Sequence, residues 1–262
     1  HGGEEDGPFS NAPGTPEMNV LDVASTRLPR PVKLLDPPAR PIATDHSVDV
    51  LERLHRPVRE QHPVDGVRDT TEFTDFDDAD VENAMLRITT FEKPVPAVVS
   101  VWTDAGVDPE PISDLLAAIS QRSAGWEVEE TIRLVPPVVE NGVRTTALAQ
   151  IGFLRIPAGL DPADWLQIWQ GQHTSVAIDT QDTFGYIQNR VLRTVHGSEQ
   201  VDAVVEELFH MAAMTDVHAF YGSGGDDAEL QRRMTLMVES VMRFGAHTNL
   251  DSVPTSRYCY AL

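Results

Sequence analysis

The sequence predicts an α+β protein in which an antiparallel sheet carries helices on one face. From about residue 84 onwards, short runs rich in β-branched and aromatic residues alternate with segments whose apolar residues recur at helical spacing. Over residues 147–262 these segments follow the order β-α-β-β-α-β. This order is that of the ferredoxin-like split βαβ unit, whose helices cover one face of the sheet.

The N-terminal residues 1–84 are predicted to form a proline-rich extended arm. Ten of the 19 prolines fall at or before Pro63, and proline removes a backbone donor and restricts the residue before it. The exception is a short helix predicted over residues 47–56, where apolar residues recur at helical spacing and Pro57 ends the run. Residues 1–15 are expected to be disordered.

Residues 85–140 are predicted to be an abbreviated α/β unit, and a divergent half of a larger barrel is one interpretation of it. Prolines stand at the start of its helix, and Gly125 is expected to end that helix. In chain order, the predicted elements are two strands, a helix and a third strand, over residues 84–92, 96–104, 109–125 and 126–136.

Residues 147–262 are predicted to form a complete ferredoxin-like domain. Asp161 is placed to cap its first helix, with Pro162 at the first helical position. The strands are predicted over residues 147–157, 183–195, 202–211 and 256–262, and the helices over residues 161–173, 214–221 and 228–245. The inward face of the last helix is expected to hold Leu230, Met234, Met237, Val238 and Val241.

Composition excludes several classes of function. The net charge of -21 would repel phosphate backbones, so nucleic acid is excluded as a partner. The absence of a long apolar run excludes a membrane-spanning helix. One cysteine, Cys259, excludes an intramolecular disulfide and a cysteine-based metal cluster, and the histidines show no metal-ligand spacing, so we expect no metal and no cofactor. A cytoplasmic location is the default, although a start at His1 leaves a removed leader open.

The segment 161–190 concentrates the residues that suit chemistry. Its predicted helix places Trp165, Trp169 and His173 four residues apart on one face. The strand that follows presents side chains of one face at alternate positions, namely Tyr186, Gln188 and Arg190. An aromatic stripe that ends in histidine, opposite a phenol, an amide and a guanidinium, is typical of one wall of a small-molecule pocket.

Each of these residues also has a purely structural interpretation. His173 suits acid–base work because its reference pKa of about 6.5 lies near neutrality, but it also suits the end of a helix. The two tryptophans are favoured as core, and as core they still form an apolar floor. Tyr186 and Gln188 are expected either to hold an oxygen that gains charge or to face solvent. Arg190 is the weaker candidate for substrate binding.

Two carboxylates complete the set of candidates. Asp202 and Glu206 lie an even number of residues apart, so they share one face of a predicted strand. In an apolar pocket Glu206 would have a raised pKa and serve as a base, with Asp202 binding substrate. The alternative is a salt bridge from these carboxylates to Arg190 or Arg193 on an adjacent strand.

Three motifs in order resemble the signatures of the EthD family over about residues 147–262. They are DWLQIWQGQHT, FGYIQNRV and VDAVVEELF, and the positions that match the family pattern are Trp165, Trp169, His173, Tyr186, Gln188, Asp202 and Glu206. The sequence departs from the family at Gly171 and Gln172 and at the insertion GSGGDDAEL. The resemblance implies a dimeric α+β barrel in which two such sheets pack face to face. It also implies a pocket inside the barrel or between each sheet and its helices.

The leading functional hypothesis is a cofactor-independent acid–base enzyme of the lyase or isomerase type. It would act on a small aromatic or hydrophobic oxygenated compound, with His173 moving a proton while Tyr186 and Gln188 hold the substrate oxygen. One alternative is a non-catalytic protein that binds a hydrophobic ligand or assists a catabolic or biosynthetic enzyme, and another is a haem- or metal-dependent redox protein. We expect a homodimer or higher oligomer that assembles through sheet faces and the N-terminal arm.

Overall fold

Eight antiparallel strands close one barrel in the computed structural model of this chain. The structure describes residues 18–25, 67–75, 80–95, 97–103, 108–120 and 122–260. The helix predicted over residues 47–56 and the disorder predicted for residues 1–15 lie outside this part of the chain. The strands are β1 Met18–Ser25, β2 Val67–Asp75, β3 Ala97–Thr103, β4 Arg122–Leu134, β5 Leu148–Leu154, β6 Thr183–His196, β7 Ala203–Phe209 and β8 Leu250–Tyr260.

The strand order divides the barrel into two halves of the same topology. Around the barrel the order is β4-β1-β3-β2 followed by β8-β5-β7-β6, and β6 then pairs with β4. Numbered within its own half, each set of four strands therefore has the order 4-1-3-2. The predicted α+β class and the antiparallel sheet with helices on one face are confirmed.

The barrel closes within one chain, which corrects the implication that two chains would each supply a sheet. Strands β1 and β2 come from residues that we assigned to the extended arm, and they complete the first half of the barrel. Residues 18–25 and 67–75 contain no proline, so their backbone donors remain available for pairing. We counted the prolines over residues 1–84 together, and that count does not show that these two segments contain none.

Three other elements differ most from the prediction. The last strand, β8, was predicted from residue 256 but begins at Leu250. Residues 84–92 were predicted as a strand, but within them only Ile88 forms a bridge, with Ser252 of β8. The helix predicted over 109–125 ends at Ile119, because the residues from Arg122 onwards pair with β1 as the start of β4.

The helices of the described residues pack against the outer faces of the barrel strands. They are α1 Glu110–Ile119, α2 Pro162–Ile168, α3 Thr174–Thr180, α4 Val217–Tyr221 and α5 Asp227–Arg243, with a π-helical turn over Trp169–His173 and a 3₁₀ turn over Met211–Met214. Asp161 caps α2 as predicted, since its side chain accepts hydrogen bonds from the backbone of Ala163 and Asp164. No helix among the described residues is both long enough and apolar enough to cross a membrane.

Strand alternation separates two apolar layers in the second half. One face of β5, β7 and β8 points into the barrel and buries Ile151, Phe153, Val204 and Val253 against Trp126 of β4. The opposite face packs under α2, the π turn, α3 and α5. That outer layer contains Leu154, Trp165, Trp169, Ala177, Tyr186, Ala203, Val205, Met237 and Phe244.

Candidate functional site

Three polar side chains form a row across the outer face of the second half. Glu207 of β7 is the register partner of Tyr186 on β6 and of Gln150 on β5. Side chains of directly opposed residues in an antiparallel sheet point to the same face, with Cβ atoms about 4.5–5.5 Å apart. The row therefore places a phenol, a carboxyl group and an amide side by side beneath the helices.

The π turn holds the aromatic stripe over this row. Trp165, Trp169, His173 and Ala177 are all buried, at steps of four residues. In a regular α-helix four residues rotate about 40° more than one full turn, so residues at steps of four would gradually move around the helix and away from one face. The wider turn at Trp169–His173 takes up part of that drift and keeps His173 directed at the sheet. Such π-helical turns are frequent at functional sites.

A cavity of about 160 Å³ lies between the row and the helical layer. A cavity of roughly 150 Å³ is sufficient to bind benzene, so this one, which is open to solvent on one side, accommodates about one aromatic ring. Its sheet side is lined by Gln150, Gly152, Leu154, Tyr186, Val205, Glu207, Leu250 and Ser252, and its helical side by Trp169, His173, Gln181, Phe220, Tyr221, Met237, Val241, Phe244 and Ala246. Leu86 and Ile88 also line it.

Gly152 leaves space on the sheet side of the cavity, because it has no side chain. A Cβ atom at this position would lie 2.8 Å from Cγ1 of Val205, which is closer than such atoms approach. A larger residue would push Val205 aside and fill part of the space next to Gln150.

Glu207 supplies the carboxyl group of the cavity lining. Its side chain keeps part of its surface accessible and lines the cavity, but protein atoms surround the carboxyl group. Burial raises the pKa of Glu207 to about 8. Among the described residues no cation forms an ion pair with it, so nothing offsets the cost of removing its charge from water. Glu207 is consequently protonated at neutral pH, and it becomes available as a base above about pH 8.

The tyrosines next to Glu207 stay protonated. Burial raises the pKa of Tyr186 above its ordinary value, and the Glu207 charge raises it further. Burial and Glu207 also raise the pKa of Tyr221. Both phenols therefore remain neutral and able to donate a hydrogen bond.

His173 is neutral at physiological pH. Its Nδ1 atom lies 2.9 Å from Oγ of Ser240 on α5, and its ring centroid is 4.7 Å from that of Phe244. Burial lowers the pKa of His173 to about 4. The ring therefore does not retain a proton gained at neutral pH, but a neutral imidazole still donates through one nitrogen when the other accepts.

A second polar network, centred on Gln188, supports Tyr186 from outside the cavity lining. Gln188 is fully buried, and its amide nitrogen donates to Oγ1 of Thr174 at 2.9 Å. Its amide oxygen accepts from Nε of Arg133 at 2.9 Å. Gln188 also makes a side-chain hydrogen bond with Tyr186. Gln188 therefore supports the site without lining the cavity.

The structure brings together only part of the predicted site. Trp169, His173 and Tyr186 line the cavity, whereas Trp165 lies behind them and donates from Nε1 to the backbone oxygen of Phe244 at 3.0 Å. Three other candidates are absent from the lining: Gln188, Arg190 and Asp202. Arg190 is paired with Glu129 at 2.8 Å. Asp202 accepts from the backbone of Ile156 at 2.7 Å.

Glu206, the predicted base, faces the barrel interior and not the cavity. Its carboxylate lies 2.8 Å from Nε of Arg257, and both side chains are 8% exposed. The expected alternative, a salt bridge, is thus the arrangement found, although the partner is Arg257 and neither Arg190 nor Arg193. The physical reason is alternation, since Val205 and Glu207 point to the helices and the residue between them points inward.

Sequence reasoning missed Glu207, Gln150 and Ser240. The run EELF contains two consecutive glutamates, and alternation places one on each face. Choosing between them requires the register of β7 against β6, which depends on long-range pairing. Ser240 was missed because we assigned the inward face of α5 by apolar residues and included Val238, which is 50% exposed.

No metal centre is found in the part of the chain that the structure describes. In that part no group of three or more His, Cys, Asp or Glu side chains is arranged to hold a metal ion.

Comparison with known proteins identifies a fold but no family. No protein-family model matches the chain, and no curated protein sequence matches it. A solved structure described as an anthrone oxidase-like protein has a TM-score of 0.56 and 11% sequence identity, and the match covers 94% of each chain. This similarity shows a shared fold.

Two further solved structures are less similar. A candidate monooxygenase from Lactobacillus acidophilus NCFM has a TM-score of 0.43 and 6% identity, with 95% of this chain and 97% of that chain covered. A candidate monooxygenase from Fusobacterium nucleatum subsp. nucleatum has a TM-score of 0.46 and 8% identity, with 95% and 96% covered.

These comparisons correct the predicted reaction type. The structure with a TM-score of 0.56 is described by an oxidative name, whereas we predicted a lyase or isomerase. That prediction is wrong. The site gives a physical reason as well, because a pKa of about 4 makes the imidazole of His173 a weak base, whereas the predicted mechanism needs a group that exchanges protons near neutral pH.

Proposed function

We propose that this chain is an oxidative enzyme that takes a proton from a small aromatic compound so that dioxygen can oxidise it. The observation that carries the proposal is Glu207, a carboxyl group that lines a ring-sized cavity with a pKa raised to about 8. The oxidative name of the structural neighbour supports the reaction type. We also propose that residues 147–262 are related to the EthD family, whose three motifs they resemble.

The substrate would carry an acidic CH₂ group that is conjugated with a ketone through aromatic rings, as in anthrone, and one of its rings would enter the cavity. Glu207 removes one proton, and the electron pair moves onto the ring and its carbonyl oxygen. The carbanion adds dioxygen to give a peroxide anion, which takes the proton back from Glu207 and becomes a hydroperoxide. The hydroperoxide then loses water as its O–O bond and the remaining C–H bond at that carbon break, which leaves a ketone and the free carboxylate of Glu207. The balance is one CH₂ group and one O₂ consumed, with one C=O group and one water produced.

The neighbours of Glu207 would stabilise the charge that forms on the substrate oxygen. Tyr186 stays protonated because of its burial, and His173 is neutral with Nδ1 next to Ser240. Neutral donors in a largely apolar cavity stabilise a developing oxyanion without a competing charge. Trp169 and Phe244 would supply the apolar walls against which the ring packs.

The test is oxygen uptake with anthrone as the probe, in air-saturated buffer that contains EDTA. We expect uptake above the rate without protein, with one anthraquinone formed for each O₂ consumed. Uptake no faster than in buffer would contradict the proposal. Uptake that EDTA abolishes and an added metal restores would replace base-initiated oxidation with metal chemistry.

The activity should depend on pH through Glu207. Below about pH 8 the carboxyl group is protonated and inactive, so kcat/KM should rise up to tenfold per pH unit and level off above that point. The measurement is a profile of initial rates between pH 6 and 10, corrected for the uncatalysed reaction. A rate that falls over this range would assign the essential group to an acid.

Replacing His173 by leucine should lower kcat by about 10²-fold, as expected when one donor to an oxyanion is lost. The midpoint of the pH profile should stay where it is in the wild type, because the base is Glu207. Steady-state rates of the His173→Leu and Ser240→Ala variants would check this. A shifted midpoint in His173→Leu would show that the imidazole titrates in the reaction.

A further inference from the structure

The amide of Gln150 has an unused acceptor next to Glu207. Gln150 is 4% exposed, and its Oε1 atom is buried without a hydrogen-bond partner among the described residues. Its Nε2 atom donates to the backbone oxygen of Leu86 at 2.7 Å and to Oγ of Ser252 at 2.6 Å. The first bond fixes the orientation of the amide, since a flipped amide would place two acceptors against each other.

A buried acceptor without a donor is costly, typically on the order of a lost hydrogen bond or more. Glu207 is the register partner of Gln150, so their side chains are neighbours on one face. The titratable side chains that line the cavity are His173, Tyr186, Glu207 and Tyr221. Of these, only Glu207 directly opposes Gln150 in the sheet, and its protonated carboxyl group is a donor.

We infer that Gln150 is a positioning residue whose amide oxygen accepts a hydrogen bond from the protonated carboxyl group of Glu207. A bond to the neutral form of an acid favours that form, which adds to the effect of burial. Gln150 thus holds the carboxyl group of Glu207 in one orientation and influences the pH at which this group becomes a base. The role of Glu207 as the base rests on the proposed function, but the hydrogen bond does not.

The experiment is an infrared titration that needs no turnover. The C=O stretch of protonated Glu207 is identified as the band that is missing from the Glu207→Gln variant, and its loss is followed from pH 5 to 11. In Gln150→Met, the pH at which half of this band is lost should fall by about 0.5–1 pH unit, because one hydrogen bond to the neutral carboxyl group is missing. The band should also move to higher frequency, because the carboxyl group is no longer bonded.

Gln181→Met is the matched control. Gln181 is a second buried glutamine on the same cavity whose Oε1 has no hydrogen-bond partner in the described part of the chain, but it is not a register partner of Glu207. Its replacement should leave the midpoint unchanged. Should Gln150→Met fail to fold, Ser252→Ala removes one of the two bonds that orient the amide and should shift the midpoint in the same direction by less.

The inference is overturned if Gln150→Met titrates like the wild type, or if Gln181→Met shifts as much as Gln150→Met. A wild-type band at the frequency of an unbonded carboxyl group overturns it too. These outcomes are independent of oxygen uptake. A protein that shows the bonded band but oxidises nothing would refute the proposed function alone.

Discussion

Replacing Glu207 by glutamine is expected to lower kcat for anthrone oxidation by about 10²- to 10⁴-fold, the usual contribution of a positioned general base. Glutamine keeps the shape of the side chain but cannot accept the proton. The residual rate should also lose its dependence on pH around 8, because the titrating group is gone. Oxygen uptake across the pH range measures both effects at once.

A stability measurement separates this chemical role from damage to the fold. The pKa of Glu207 is about 8 in the folded protein and 4.5 in its ordinary state, so the folded protein binds the proton more tightly. The free energy of unfolding of the wild type should therefore decrease as the pH rises from about 5 through 8. Glu207→Gln should lack this decrease. An active variant, or one that unfolds like the wild type with pH, would exclude Glu207 as the buried base.

Replacing Glu206 by leucine is expected to destabilise the protein by about 3–5 kcal/mol, the typical effect of removing one member of a buried ion pair. Glu206 and Arg257 are 2.8 Å apart and 8% exposed, and the variant leaves the guanidinium charge in the barrel without this carboxylate. Urea denaturation at neutral pH measures the change. A loss below about 1 kcal/mol would mean that water screens the pair as on a surface.

The double variant Glu206→Leu with Arg257→Met supplies the control. Buried ion pairs replaced by apolar residues of similar volume are often neutral or stabilising, so the double variant should regain most of the loss. The Glu206→Leu variant should keep the pH profile of the wild type wherever it is folded. The contrast with Glu207→Gln would assign the chemistry to one of two adjacent glutamates and the stability to the other.

The helix and the buried face that form part of the site could be predicted from the sequence. Asp161 and Pro162 marked the start of α2, and the spacing of Trp165, Trp169 and His173 marked a buried face. These features depend on residues within a few positions of each other, where capping and helical periodicity apply. The π turn was not predicted, and it is the feature that keeps His173 over the sheet.

Which residues form the polar row beneath the helices could not be predicted from the sequence. Tyr186, Glu207 and Gln150 lie on three strands that are far apart in the chain and become neighbours through strand pairing. A shift of one residue in the register of β7 would exchange Glu206 and Glu207 between the two faces. The resemblance directed attention to Glu206, and only the register shows that Glu207 lines the cavity.

By itself, the sequence determined the α+β class, the ferredoxin-like order of the second half and the helix that carries Trp169 and His173, because these follow from local periodicity and capping. The tertiary structure alone decided that β1 and β2 close the barrel within one chain, and which glutamate meets the cavity. Both decisions depend on pairing between distant strands. The energy of that pairing comes from contacts across the sheet, which no local pattern in the chain records.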